Sequence, residues 1–172
     1  LFMNIIRNIF CCYKRNYNTI VNSGVYRLEL TNNNYYIGKS NDIERRIWQH
    51  TQDDGSGWTK RNSVVKRLPT LTYSSNSPFW ELEETLENIR IYGIDNVRGS
   101  LISKINLTRQ DRILAAQLYC EMHDLCRKCG SNDHFIGQCT RDHLEDWVDK
   151  FGGELRLHSR ICKTCKKDIE YL

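Results

Sequence analysis

The alternation of apolar and polar positions over residues 24–50 predicts a β-hairpin that leads into a helix. Residues 25–30 alternate as a strand with two different faces does. Residues 31–34 are asparagine-rich in the manner of a tight turn, and residues 35–37 resume the strand pattern. This stretch is therefore predicted to form two neighbouring strands joined by a short turn.

A helix is predicted directly after the hairpin. Gly38 ends the second strand, and Asn41 followed three positions later by Glu44 is typical of a helix-capping box. The helix then carries Arg46 and His50, which are four residues apart and so lie on one face. This order would bring a cation and an imidazole towards the tyrosines of the two strands, which is the geometry of an active site.

Three further elements are predicted downstream. A third strand is expected over residues 63–68, after a turn-rich segment. Pro78 and Gly93 fit the two ends of a helix over residues 78–92, and a third helix is expected over residues 107–119. Together these elements predict an α+β fold, with a small three-stranded antiparallel sheet flanked by helices.

Composition limits the class of protein. The 172 residues allow one good-sized domain with a small appendage. The formal net charge of +4 permits a nucleic-acid partner without requiring one. The sequence contains no apolar run of the roughly 18 residues that a membrane-spanning helix needs, so no membrane partner is expected.

The hairpin and its helix resemble the GIY-YIG nuclease family. The two half-motifs of that family correspond to Gly24-Val25-Tyr26 and Tyr36-Ile37-Gly38, with valine in place of the usual isoleucine in the first. Lys39, Arg46 and His50 follow at the family's spacing. The resemblance implies a nuclease fold and metal-dependent hydrolysis of phosphodiester bonds, with nucleic acid, and DNA in particular, as the expected partner.

The resemblance also implies a role for each residue of the motif. Tyr26 would act as general base, helped by Lys39 or by a metal-bound water. Since a phenol has a pKa of about 10, a neighbouring cation must lower that value, and Lys39 and Arg46 are placed to do so. Arg46 would also bind the phosphate, while Tyr36 and His50 would position water or donate a hydrogen bond.

One divalent ion, Mg²⁺ or Mn²⁺, is expected on a glutamate of the helix over residues 78–92. Glu84 is the chosen ligand because an asparagine, here Asn96, follows the family's metal-binding glutamate by about a dozen residues, and Asn96 would brace the site. Glu81, one turn earlier, is the rival. Residues 92–99 (YGIDNVRG) resemble GIY-YIG proteins of large DNA viruses and protists, and Trp58-Thr59 after a Gly-Ser loop also resembles the family.

A second constellation of residues has the spacing C-x2-C-x4-H-x4-C of a CCHC zinc knuckle, formed by Cys126, Cys129, His134 and Cys139. It is predicted to bind one structural Zn²⁺. Arg127 and Asp133 depart from the usual knuckle pattern, whereas Phe135 and Ile136 are available for stacking on bases or for packing. The knuckle is therefore either an aid to nucleic-acid binding or a structural or protein-binding clip.

The predicted parts are an N-terminal extension (1–22) with a helical apolar pattern, a nuclease domain (23–104), a closing or linking helix (105–125), the knuckle (126–139) and a helical tail (140–172). The tail contains a C-x2-C pair, Cys162 and Cys165, which fits half of a second zinc site, a redox pair or unpaired thiols. The pattern of the eight cysteines as a whole, with its two C-x2-C pairs, favours a reducing, intracellular setting over a secreted one.

Two functions are consistent with this pattern. The first is a metal-dependent endonuclease acting on DNA, with a knuckle that helps to hold the substrate and no small-molecule cofactor. The second is a non-catalytic nucleic-acid-binding or interaction module built on a nuclease fold. A thiol redox protein based on the C-x2-C pair ranks last, because no thioredoxin-like pattern surrounds that pair.

Overall fold

The computed structural model of the protein describes residues 22–52, 54–72 and 77–141. In these residues the regular elements are, in order, β1 (Gly24–Leu30), β2 (Asn34–Ser40), α1 (Ile43–Thr51), α2 (Gly57–Arg61), β3 (Val64–Leu68), α3 (Trp80–Tyr92), β4 (Val97–Gly99) and α4 (Arg109–Met122). The strands form one mixed sheet in the order β3-β1-β2-β4. The predicted α+β class is confirmed.

The predicted hairpin is present. β1 and β2 pair antiparallel around a 3₁₀ turn at Thr31–Asn33, and the register places Tyr26 opposite Gly38. Asn32 and Asn33 have φ values of 61° and 56°. Asparagine tolerates this left-handed region better than most residues, so the asparagine-rich turn is what allows so tight a connection.

The sheet has one strand more than the three that were predicted. β3 pairs antiparallel with β1, and the short β4 pairs parallel with β2, with Tyr36 opposite Arg98. β4 has only three residues, so it carries too little alternation to be recognised as a strand from the sequence. It nevertheless extends the edge of the sheet next to the second tyrosine of the motif.

Each face of the sheet is covered by its own hydrophobic core. The α3 face, where α4 also packs, includes Val25, Ile37, Leu82, Leu86 and Ile89. The α1 face includes Tyr26, Leu28, Leu30, Ile43 and Trp58. Strand alternation sends neighbouring residues of β1 into opposite cores, so the first tyrosine of the motif is fixed on the α1 face by its position in the strand.

The ends of the helices correct two details. Asp42, not Asn41, caps α1, and its carboxylate accepts a hydrogen bond from the backbone of Arg45 at 3.1 Å, so the predicted capping box with Glu44 is wrong. α3 begins at Trp80 rather than at Pro78 and ends, as predicted, at a glycine with positive φ. These shifts of one or two residues leave the predicted faces of both helices unchanged.

Several predictions fall outside the described residues. These are the N-terminal helix, the helical tail, and the C-x2-C pair Cys162 and Cys165. Among the helices that the structure does describe, none combines the length and the apolar character needed to cross a membrane.

Candidate active site and metal centre

Three rings meet on the α1 face of the sheet. The ring centroids of Tyr26 and Tyr36 are 6.3 Å apart, and those of His50 and the two tyrosines are 5.9 and 4.9 Å apart. The hydroxyl of Tyr26 lies 2.8 Å from Nε2 of His50. The structure thus brings together three of the residues that the motif predicted to act together.

Gly38 makes room for the Tyr26 hydroxyl. A Cβ atom at position 38 would lie 2.4 Å from the hydroxyl oxygen of Tyr26, well inside van der Waals contact. The phenol therefore lies across the backbone of β2 only because the residue opposite it has no side chain. The glycine of the second half-motif is explained by this close approach.

His50 is held from both sides. It is 2% exposed, and its Nδ1 atom lies 2.8 Å from Oγ1 of Thr59, at the start of α2. A Cβ atom at Gly55 would lie 2.2 Å from Nδ1 of His50 and 2.5 Å from Oγ1 of Thr59. Thr59 and Gly55 were not predicted as site residues. The only sequence signal was the resemblance of the Gly-Ser loop and Trp58-Thr59 to the family.

The cluster is electrically neutral apart from Arg46. Burial raises the pKa of both Tyr26 and Tyr36 above the ordinary value, and the nearby positive charge of Arg46 opposes this rise only in part. Burial, followed by the charge of Arg46, lowers the pKa of His50 to about 4. The expected lowering of the Tyr26 pKa is therefore wrong for the free protein, because loss of hydration outweighs the cation.

The two cations of the motif lie on different faces of the sheet. Arg46 is half-buried on α1, where its guanidinium donates a hydrogen bond to Oε1 of Gln49 at 2.9 Å. Lys39 is exposed and pairs with Val25, whose side chain packs in the α3 core, so Lys39 lies on the α3 face. Arg46 is therefore the cation that accompanies the three rings.

Glu84 is fully buried and its carboxylate is surrounded by donors of the protein itself. One oxygen accepts from the backbone of Leu71 at 2.6 Å and from the side chain of Asn88 at 3.2 Å. The other accepts from the backbone and the hydroxyl of Thr72, at 2.8 and 2.6 Å. These contacts argue against the prediction that Glu84 holds the divalent ion, because they occupy both oxygens.

Glu81, the rival ligand, is less enclosed than Glu84. It is half-buried, and its negative charge acts to raise the pKa of both Tyr26 and Tyr36, which places it within electrostatic reach of the cluster. One of its oxygens accepts a hydrogen bond from the backbone of Ser100 at 3.2 Å. Among the described residues, its second oxygen accepts none.

Asn96 acts on the backbone rather than on the rings. Its side-chain amide donates to the backbone carbonyl of Tyr92 at 2.8 Å, and its backbone carbonyl accepts from the backbone N–H of Tyr35 at 2.8 Å. It thereby closes the turn between α3 and β4 and joins that turn to β2. Its contacts are those of a residue that supports the sheet edge.

The predicted zinc ligands converge. The ligand atoms of Cys126, Cys129, His134 and Cys139 all lie within 4.8 Å of one another, which suits a tetrahedral Zn²⁺ site with three thiolates and one imidazole. Within this cluster a backbone hydrogen bond at Arg141 lowers the pKa of Cys139 to about 7, whereas burial raises the pKa of Cys129 to about 11. A bound metal ion would favour the thiolate form of both.

Asp133, a departure from the usual knuckle pattern, has a clear contact. Its carboxylate lies 2.6 Å from Nδ1 of His134, which leaves Nε2 facing Cys129 at 3.3 Å. A carboxylate on the far nitrogen of a zinc-binding histidine fixes the ring and its tautomer. The departure therefore fits metal binding.

The start of the knuckle, Leu125 and Cys126, is buried at the hydrophobic core on the α3 face. Cys126 and Leu125 are buried, and the backbone of Leu125 donates to the carbonyl of Cys120 at 2.8 Å. Nε2 of His123 lies 2.8 Å from a carboxylate oxygen of Glu87 on α3. The metal centre is thus anchored on the same helix that carries Glu81.

Comparison with known proteins agrees with this geometry. Residues 22–88 match the family model of the GIY-YIG catalytic domain. The UPF0213 protein of Halobacterium salinarum is 28% identical over 65 residues, which cover 38% of this chain and 84% of that protein. No solved structure matches the chain. Residues 22–88 are therefore similar to a GIY-YIG catalytic domain, as the motif predicted, and this class of domain implies a nuclease-type function.

Proposed function

We propose that the protein is a metal-dependent endonuclease that hydrolyses phosphodiester bonds in DNA. The observation that carries the proposal is the cluster of Tyr26, Tyr36 and His50 with a single cation, Arg46, at the edge of a GIY-YIG sheet. Phosphodiester hydrolysis needs an activated water and positive charge at the phosphate, and this cluster provides groups for both.

The neutral state of Tyr26 decides how it would act as a base. A neutral phenol can accept the proton of the attacking water only if it passes its own proton on, and Nε2 of His50 lies 2.8 Å from its oxygen. The water oxygen then bonds to phosphorus, the bond from phosphorus to the leaving oxygen breaks, and that oxygen takes a proton from solvent. His50 afterwards returns its extra proton to solvent through Tyr26.

Arg46 links substrate binding to this transfer. Its charge helps to lower the pKa of His50 in the free site. A phosphate bound to the guanidinium would offset that charge, so His50 becomes a better proton acceptor when substrate is present. Lys39, exposed on the other face of the sheet, would contact the phosphate backbone.

The residues present fit one hard divalent ion. Glu81 would hold Mg²⁺ or Mn²⁺ through the oxygen that accepts no hydrogen bond within the described residues, because such ions bind through one or two carboxylates and keep several waters. When bound, the ion would supply positive charge near the phosphate and the leaving oxygen. We therefore propose Glu81, in place of Glu84, as the ligand of the divalent ion.

The knuckle would hold a structural Zn²⁺ and contribute to substrate binding. Phe135 and Ile136 are 61% and 44% exposed beside the metal ligands, and exposed side chains of this kind stack on nucleic-acid bases. Such a site requires reduced thiols, so we propose that the protein works in a reducing, intracellular compartment.

The test is nicking of supercoiled plasmid by the full-length chain. We expect wild type to nick DNA when Mg²⁺ is added and not when it is omitted. Glu81→Gln should abolish nicking, whereas Glu83→Gln, a matched change on the same helix, should leave it intact. Omission of Mg²⁺ is preferred to a chelator, because a chelator would also remove zinc from the knuckle.

Either of two results would contradict the proposal. If well-folded wild type binds DNA but cleaves neither plasmid nor branched substrates, the alternative of a non-catalytic nucleic-acid-binding module is supported. If Glu81→Gln nicks as fast as wild type, Glu81 is not the metal ligand.

A further inference from the structure

We propose that Thr59 is a positioning residue that selects the tautomer of His50 and thereby directs the hydroxyl hydrogen of Tyr26 away from the substrate. This inference rests on the proposed nuclease function for its consequence in catalysis. Its structural part, the position of one hydrogen on His50, stands on contacts within the described residues and can be measured without any assay of activity.

The hydrogen bonds of Thr59 determine its direction. Its Oγ1 atom lies 3.0 Å from the carbonyl oxygen of Ser56 and 2.8 Å from Nδ1 of His50. A carbonyl oxygen can only accept, so the single hydroxyl hydrogen of Thr59 is donated to Ser56. The hydroxyl oxygen must then accept from His50, and the hydrogen of the imidazole is on Nδ1.

The opposite arrangement leaves one contact unsatisfied. If Thr59 donated its hydrogen to Nδ1 of His50, its oxygen would lie 3.0 Å from the carbonyl oxygen of Ser56 with no hydrogen between them. Two acceptors at that distance repel each other, and in a buried site this arrangement is unfavourable. The arrangement with hydrogen on Nδ1 satisfies every contact.

The consequence passes from His50 to Tyr26. A neutral imidazole carries one hydrogen, and burial lowers the pKa of His50 so that it is neutral at physiological pH. With its hydrogen on Nδ1, Nε2 has a free lone pair, so the Tyr26 hydroxyl donates to it across 2.8 Å. The Tyr26 oxygen also accepts a hydrogen bond from Arg46, and its remaining lone pair can accept the proton of the attacking water.

With the other tautomer the site could not work in this way. Nε2 of His50 would carry the hydrogen and donate it to the oxygen of Tyr26. One lone pair of Tyr26 would be occupied, and Nε2 could accept no proton. The hydroxyl of Thr59 therefore decides whether Tyr26 and His50 can accept a proton, although Thr59 itself does not contact the substrate.

The packing around Thr59 holds this geometry. The side chain of Ser56 caps α2 by accepting from the backbone of Thr59 at 3.2 Å, which fixes the start of the helix relative to His50. Gly55 has no side chain that would separate the pair, whereas a Cβ atom there would overlap both partners. Gly55 and Ser56 thus both help to keep Thr59 in hydrogen-bonding contact with His50.

The first experiment reads the tautomer directly. Long-range proton–nitrogen correlation spectra of the uniformly nitrogen-labelled, zinc-loaded full chain distinguish the two neutral tautomers, and comparison with His50→Gln assigns His50 among the five histidines. We expect hydrogen on Nδ1 in wild type and in Thr59→Ser. We expect Thr59→Val, which keeps the shape and removes the hydroxyl, to show the Nε2 tautomer or a mixture.

Wild-type spectra with hydrogen on Nε2 would overturn the inference, and so would a Thr59→Val spectrum unchanged from wild type. Because the wild-type spectrum is decisive by itself, the inference remains testable even if Thr59→Val fails to fold. The spectra also keep this inference apart from the proposed nuclease function, since they need no substrate.

The second experiment measures nicking kinetics of the same variants. Thr59→Val should lower kcat by at least about tenfold, a fraction of the 10²–10⁴ that general acid–base catalysis contributes, while KM changes by less than about twofold. Thr59→Ser should retain most of the wild-type kcat. Equal kcat in Thr59→Val and wild type would overturn the catalytic part of the inference.

Discussion

Glu81 and Glu84 lie one turn apart on α3, and replacing each with glutamine should separate catalysis from folding. Glu84→Gln should destabilise the protein, because the carboxylate is fully buried and accepts hydrogen bonds from Leu71, Thr72 and Asn88. Glu81→Gln should leave stability nearly unchanged, because its carboxylate is half-buried and accepts one long hydrogen bond, from Ser100. Metal-dependent nicking should be lost in Glu81→Gln and retained in Glu84→Gln.

The size of the effect at Glu84 follows from its contacts. Glutamine keeps one acceptor oxygen, which can still serve the two donors of Thr72, but places an amino group against the donors of Leu71 and Asn88. Leaving a buried donor unsatisfied costs about 1–3 kcal/mol, so we expect a loss of about 2–4 kcal/mol. For a domain of this size that corresponds to a Tm lower by roughly 10 °C.

The assay is thermal and denaturant unfolding of both variants, with nicking measured at a temperature where each is folded. Glu84→Gln should melt early and yet nick DNA when folded, while Glu81→Gln should melt like wild type and not nick. If Glu84→Gln instead melts like wild type and has lost metal-dependent nicking, the carboxylate binds the ion and the assignment of Glu81 is refuted.

Three further predictions follow from single contacts. Gly38→Ala should destabilise the protein and reduce nicking, because its Cβ would overlap the Tyr26 hydroxyl, whereas Gly137→Ala, which meets nothing within 4 Å, should leave Tm unchanged. Removing the proposed zinc, or replacing Cys126 with serine, should lower the Tm of the full chain measured by calorimetry, because Cys126 is fully buried. An unchanged Tm would show that the knuckle does not stabilise the rest of the fold. The pKa of His50 is about 4 in the folded state and about 6.5 in the unfolded state, so the free energy of unfolding should decrease as pH falls from 6.5 to 4. Denaturant titrations at several pH values should show a weaker pH dependence of this free energy for His50→Gln than for wild type.

The hairpin and the three-ring cluster could be predicted because their causes are local. Strand alternation places Tyr26 and Tyr36, the asparagine turn sets the register between them, and helical spacing places Arg46 and His50 on one face. Each of these signals is contained within a few consecutive residues. The choice between Glu81 and Glu84 is different in kind, because it depends on hydrogen bonds from Leu71 and Thr72, which belong to no element of the predicted hairpin or helix.

The state of Tyr26 was mispredicted for a related reason. The sequence shows that a cation follows at helical spacing, and a cation lowers the pKa of a phenol. It does not show that Tyr26 becomes 1% exposed in the core on the α1 face. This loss of hydration has a larger effect on the pKa of Tyr26 than the cation does. The likeness of the Gly-Ser loop to the family was visible, but the contact of Thr59 with His50 appears only when α2 packs against α1.

The glutamates of α3 show why a pattern of charges on a helix is a weak guide to function. Glu81, Glu84 and Glu87 recur every three residues, a spacing that on many helices marks a solvated face. Here each joins α3 to a different part of the chain. Glu81 acts electrostatically on the tyrosines of the ring cluster and accepts from Ser100, Glu84 accepts hydrogen bonds from residues 71–72, and Glu87 pairs with Arg90 and with His123. One helix therefore connects the proposed catalytic ion, residues 71–72 and the Cys/His cluster that is proposed to bind zinc. That common attachment is the physical reason to expect that loss of the proposed zinc destabilises the sheet and its helices as well as the knuckle.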